Sequence, residues 1–191
     1  MNLAMALTVG RIALAPVFFL LYRLTLAGSP FMLIGVWAAL ILIELSDLFD
    51  GFAARRFHQE SELGKVLDPF ADSISRLTYF VALAGSAILP LWVLLILVYR
   101  DVAVAYIRVM LSQRNFLMPA RLSGKLKAWV YAFAGIGGVA WFSLQKLGSA
   151  LADRSALAAA QKGLFVLAAA AALWSLADYC VFFARKFSKT S

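Results

Sequence analysis

The 191-residue chain is short of charge and of most residues that soluble enzymes and disulfide-bonded proteins depend on: 15% of it is charged, and it holds one cysteine, one histidine and ten acidic residues. A single cysteine, Cys180, excludes an intrachain disulfide and reads as inert packing within an apolar run. The lone histidine, His58, reads as a solvated loop residue. No internal repeat and no RNA-binding motif is present, so the net charge of +8 does not point to nucleic acid. No lysine or arginine precedes the first apolar run, MNLAMALTVGRIALAPVFFLLYRL, and no A-x-A cleavage site follows it. That run is therefore expected to be a retained first helix and not a removed signal peptide.

What the chain has in excess is apolar residues. They make up 63% of it, with a mean hydropathy of +0.85, against about 45–50% in a soluble domain. The excess is too large for one core and predicts several bilayer spans of about 20 residues each. Six apolar segments are expected at about 9–27, 31–52, 68–89, 91–111, 125–146 and 158–184, forming a single domain over 1–191. Residues 1–8 are expected to form a short helix on the membrane surface, with Arg11 near the headgroups. An even number of spans places both termini on one side. The basic loops carrying Arg55, Arg56, Lys65, Arg114, Arg121, Lys125, Lys127, Arg185, Lys186 and Lys189 put that side in the cytoplasm.

Against this background the acids are crowded. Seven of the ten lie between Glu44 and Asp72. Asp47 and Asp50 are three apart and Asp68 and Asp72 four apart, so each pair shares a helix face. The intervening residues, with Gly64 among them, allow the chain to reverse and bring the pairs together. Four converging carboxylates repel one another and call for a cation. Hard oxygen ligands select Mg²⁺ or Mn²⁺, and four aspartates are enough for two such ions, an arrangement suited to displacement at phosphorus. Gly51 and Ala54 allow close approach of a ligand to the backbone, and Arg55 presents a planar fork to a phosphate.

The run D-L-F-D-G-F-A-A-R, eight residues, then G-K-V-L-D-P-F-A-D resembles the signature of the CDP-alcohol phosphatidyltransferase family, D-x2-D-G-x2-A-R-x8-G-x3-D-x3-D. Asp47, Asp50, Gly51, Ala54, Arg55, Gly64, Asp68 and Asp72 fill every fixed position. The resemblance implies an all-α integral membrane protein, six transmembrane helices around a cytoplasm-facing polar cavity, commonly a homodimer in the inner membrane. It implies that Asp47, Asp50, Asp68 and Asp72 bind divalent ions and that Asp72 is also the general base. It further implies that Asp50, Gly51, Ala54, Arg55 and Gly64 hold the CDP moiety of CDP-diacylglycerol or another CDP-alcohol, and that CMP leaves.

Arg100 and Arg108 are eight apart on the fourth segment and face the same way; Arg121, Lys125 and Lys127 follow in RLSGKLKAW. Arg100, Arg108, Arg121 and Lys125 are expected to bind an acceptor that is itself anionic. An ion pair between the neighbours Arg100 and Asp101 is not expected, because adjacent side chains on a helix diverge. The opening LTVGRIALAPVFF and G-K-L-K resemble the branch of the family whose acceptor is sn-glycerol 3-phosphate. Asp101 and Ala128 depart from that branch, which has glutamate and threonine there. Inositol phosphate, serine, or transfer from CDP-choline or CDP-ethanolamine to diacylglycerol stay open as alternatives, and a small-solute transporter is the distant one.

Overall fold

The structure, a computed structural model, describes residues 3–56, 62–113, 116, 121–149 and 155–187; the side chains of 3, 4, 48, 50–56 and 62–66 lie outside that description. The described residues form six α-helices: α1 (Leu3–Leu26), α2 (Met32–Arg56), α3 (Glu62–Gly85), α4 (Leu91–Ser112), α5 (Leu122–Lys146) and α6 (Ser155–Phe187). At 1.5 Å per residue, the shortest, with 22 residues, is about 33 Å long, enough for a hydrocarbon layer of about 30 Å.

Three boundaries differ from expectation for local reasons. Residues 3–8 do not form a separate surface helix but begin α1, because nothing between Leu3 and Arg11 breaks the helix and Thr8 and Arg11 have partners inside the protein. The acidic helix ends also run on: α2 continues to Arg56 and α3 starts at Glu62, so much of the expected polar loop is helical. At the other end of α1, Gly28 takes φ +118°, a conformation that costs glycine little, while the amide of Ser29 bonds the carbonyl of Leu24 at 3.2 Å.

The helices pack as two groups of three. α1 lies against α2 and α3, and α6 against α4 and α5; α3 makes the main seam between the groups, against α4 and α5. The seam is close because α5 is small there. A Cβ on Gly135 would stand 2.4 Å from the Tyr79 ring, and one on Gly138 would stand 2.5 Å from Leu83. The small-residue pair Ala134 and Gly138 thus serves packing within the chain. Around the seam Phe18, Tyr22, Tyr79, Phe80, Tyr131 and Phe142 form the aromatic centre of the core.

The distribution of polarity is inverted relative to a water-soluble bundle. Arg11, Arg76, Arg100, Asp101 and Lys127 are buried, while Phe31, Ile34, Leu91, Trp129 and Phe133 are exposed. An apolar outer surface over a charged interior suits a protein solvated by lipid. Among the described residues two helical spans, Met5–Leu26 and Ser155–Lys186, are long and apolar enough to cross a membrane on composition alone. α4 carries Arg100, Asp101 and Arg108, the first two turned into the protein.

Candidate active site

The site is built where α1, α2 and α3 meet. On α1, Thr8 and Arg11 are three apart and share a face. On α3, Asp68, Asp72 and Arg76 succeed one another at four-residue steps, one per turn. Asp47 projects from α2 toward both. Arg11 Nη1 donates to Asp47 Oδ1 at 3.0 Å and to Asp72 Oδ1, so one guanidinium bridges carboxylates of two different helices. Arg76 Nη2 donates to Asp47 Oδ2 at 2.6 Å. Arg11 Nε donates to Ser46 Oγ at 3.3 Å, and that hydroxyl donates onward to the Ile43 carbonyl at 2.8 Å. Thr8 Oγ1 donates to Asp68 Oδ1 at 2.8 Å.

Exposure is divided unequally within this cluster. The Arg11 side chain is 1% exposed, whereas those of Asp47 and Asp72 are 30% and 36% exposed. Arg11 and Arg76 are buried, and the carboxylates they hold are part-exposed. Asp47 and Asp72 are thus brought together, with Asp68 a turn below Asp72. The side chains of Asp50, Gly51, Ala54, Arg55 and Gly64 lie outside the described residues, as do those of His58 and Arg114. Among the described residues, no three histidine, cysteine or carboxylate side chains stand together at metal-holding spacing. The donor set nonetheless fits a hard divalent ion: its atoms are carboxylate oxygens, and two of them already converge on a single cationic group.

The second charged cluster belongs to α4, α5 and α6. Arg100 Nη1 does bond Asp101 Oδ1, at 2.9 Å, contrary to the sequence expectation. The two side chains fold back on each other because Lys127 Nζ holds the same oxygen at 2.7 Å and Ser175 Oγ receives Arg100 Nη2 at 2.6 Å. The guanidinium carbons of Arg100 and Arg108 lie 5.5 and 5.7 Å from the centre of the Tyr179 ring. Arg108 Nη2 also donates to the Tyr179 hydroxyl at 3.1 Å. Arg121 pairs with Asp178 at the cluster's edge, and Lys125 is exposed. Of the four expected acceptor residues, then, Arg100 and Arg108 meet at Tyr179, while Arg121 and Lys125 stand apart.

Sequence reasoning missed Arg11 and Arg76 at the acidic site and the burial of Lys127. The signal available for Arg11 was its place three residues after Thr8 in a helix that otherwise has no charge before Arg23. Between the clusters lie Glu44 Oε1 and the hydroxyls of Tyr79 and Tyr131, all buried. Glu44 stands near Arg76, Asp47 and Tyr79, a polar interior continuous with the acidic site.

A family model described as CDP-alcohol phosphatidyltransferase matches residues 1–174. Among curated relatives, the CDP-diacylglycerol–glycerol-3-phosphate 3-phosphatidyltransferase of Bacillus subtilis is 28% identical over 142 residues, 70% of this chain and 74% of the relative. The probable phosphatidylglycerophosphate synthase of Mycobacterium tuberculosis is 32% identical over 133 residues, 70% of this chain and 63% of the relative. A CMP-forming cardiolipin synthase of Streptomyces coelicolor is 36% identical over 133 residues, 66% of this chain and 60% of the relative.

Proposed function

Because the chain belongs to the CDP-alcohol phosphatidyltransferase family, we propose that it transfers the phosphatidyl group of CDP-diacylglycerol to the hydroxyl of sn-glycerol 3-phosphate, yielding phosphatidylglycerophosphate and CMP. The observation that carries this reading is the convergence of Asp47 and Asp72, two members of the family signature, from separate helices onto one cation. The Bacillus and Mycobacterium relatives support the choice of acceptor by their names.

In this reading the six helices span the inner membrane with both termini cytoplasmic, the site faces the cytoplasm, and two copies pair as a homodimer. Asp47, Asp50, Asp68 and Asp72 hold Mg²⁺ or Mn²⁺, two ions in all. When bound, the ions offset the charge of the diphosphate. Gly51, Ala54, Arg55 and Gly64, with Asp50, cradle the CDP moiety. Asp72 accepts the proton of the acceptor hydroxyl as its oxygen bonds to the lipid-bearing phosphorus. The phosphoanhydride bond to CMP breaks, and its electron pair leaves with CMP. Arg100, Arg108, Arg121 and Lys125 attract the acceptor's phosphate, Arg108 best placed of them because its described contacts are to a phenol and not to a carboxylate.

The Streptomyces relative favours a second reading, in which the acceptor is a lipid, phosphatidylglycerol, and the product cardiolipin. One assay separates the two. Purified protein with Mg²⁺ or Mn²⁺ and CDP-diacylglycerol is offered glycerol 3-phosphate, phosphatidylglycerol, inositol phosphate or serine, and CMP release is followed. Release with glycerol 3-phosphate alone is expected, and EDTA should abolish it. Release with phosphatidylglycerol alone selects the second reading, and no release with any acceptor rejects both.

A further inference from the structure

Arg11 occupies the place where the site's carboxylates converge. It is almost fully buried there, while the carboxylates it bridges are part-exposed. Its guanidinium is also braced by Ser46, so its position is set by the fold. A second cation arriving from outside would meet oxygens whose charge is already shared with Arg11 and, at Asp47, with Arg76. We propose that Arg11 is a built-in counter-ion of the metal site: it holds Asp47 and Asp72 together across α1, α2 and α3 before a divalent ion arrives, and it competes with that ion for the same oxygens.

The physical argument is electrostatic. Two part-buried carboxylates at one point would drive α2 and α3 apart if left alone. A planar guanidinium is suited to bridging them, since its donors point in fixed directions and it stays charged at any accessible pH. The same contacts reduce the negative potential that a divalent ion sees. Arg11 therefore raises the stability of the metal-free protein and lowers its affinity for the ion, two effects of one interaction linked by mass action. The role rests on the reading of Asp47 and Asp72 as metal ligands.

The test measures Mn²⁺ binding to the full chain in detergent, without substrate, by loss of the free-ion electron paramagnetic resonance signal. Arg11→Gln should tighten Mn²⁺ binding by about tenfold, the scale of one charge-assisted hydrogen bond that the ion no longer displaces. The same variant should melt earlier than the wild type without metal, and the gap should narrow at saturating Mn²⁺. Arg11→Lys keeps a cation but not the fork, and should bind Mn²⁺ more tightly than the wild type and less tightly than Arg11→Gln. If Arg11→Gln does not fold, Arg11→Lys decides alone. Unchanged or weaker Mn²⁺ binding in the folded variants overturns the role of Arg11, provided Asp47→Asn loses the ion. If Asp47→Asn binds Mn²⁺ as the wild type does, the metal reading of the site fails and takes this role with it.

Discussion

In the first three helices Asp47 and Asp72 are part-exposed beside buried arginines; in the last three the central carboxylate is sealed in with its cations. Asp101 is 3% exposed and is held by Arg100 and Lys127, both also buried. Asp47 and Asp72 are about ten times more exposed. An open carboxylate can exchange one cation for another, whereas a sealed one mainly fixes the helices that carry it. Similar charges are thus left part-exposed in one half and enclosed in the other.

That contrast sets the order of expected effects. The largest concerns the open half. Asp72→Asn should lower CMP release by about 10²- to 10⁴-fold, the range for loss of a general base, while CDP-diacylglycerol binding by the folded protein persists. Near-normal turnover would remove Asp72 from that role. Next comes the sealed half. Asp101→Asn leaves Arg100 and Lys127 buried without their carboxylate and should cost about 3–5 kcal/mol in denaturant unfolding. A loss no larger than that of an exposed pair would mean that water reaches the cluster.

The third prediction strikes the seam between the halves. Gly135→Ala pushes a methyl into the fully buried Tyr79 ring and should destabilise by about 1–3 kcal/mol. Gly138→Ala, which meets the movable end of Leu83, should cost less. Equal losses from the two would show that the seam yields at Tyr79 as readily as at Leu83. The smallest effect belongs to the cluster's edge. Arg121 and Asp178 remain over a quarter exposed, so Arg121→Ala should change stability by under about 1 kcal/mol, as thermal melting would register.

How far these features could be read from the chain depended on their sequence separation. Asp47 and Asp72 were legible because the signature packs them into 26 residues with fixed spacing. The helices were legible as long apolar runs, but their ends were not, because polar residues such as Arg55 and Glu62 continue a helix as readily as they end one. Nothing local distinguishes Arg11 from a headgroup anchor, since its partners lie 36 and 61 residues away. Local geometry disfavours the Arg100–Asp101 pair, and it forms because Lys127 and Ser175, 26 and 75 residues distant from their partners, complete the cluster. Local rules found the residues with chemistry; tertiary packing decided which cation each acid received.

The contact of Tyr79 with Gly135 has a consequence for the site. An aromatic ring seated against bare backbone resists sliding of α3 past α5. Asp72 and Arg76 ride on the first and Lys127 on the second, so one packing contact ties the position of the acidic site to that of the buried basic cluster.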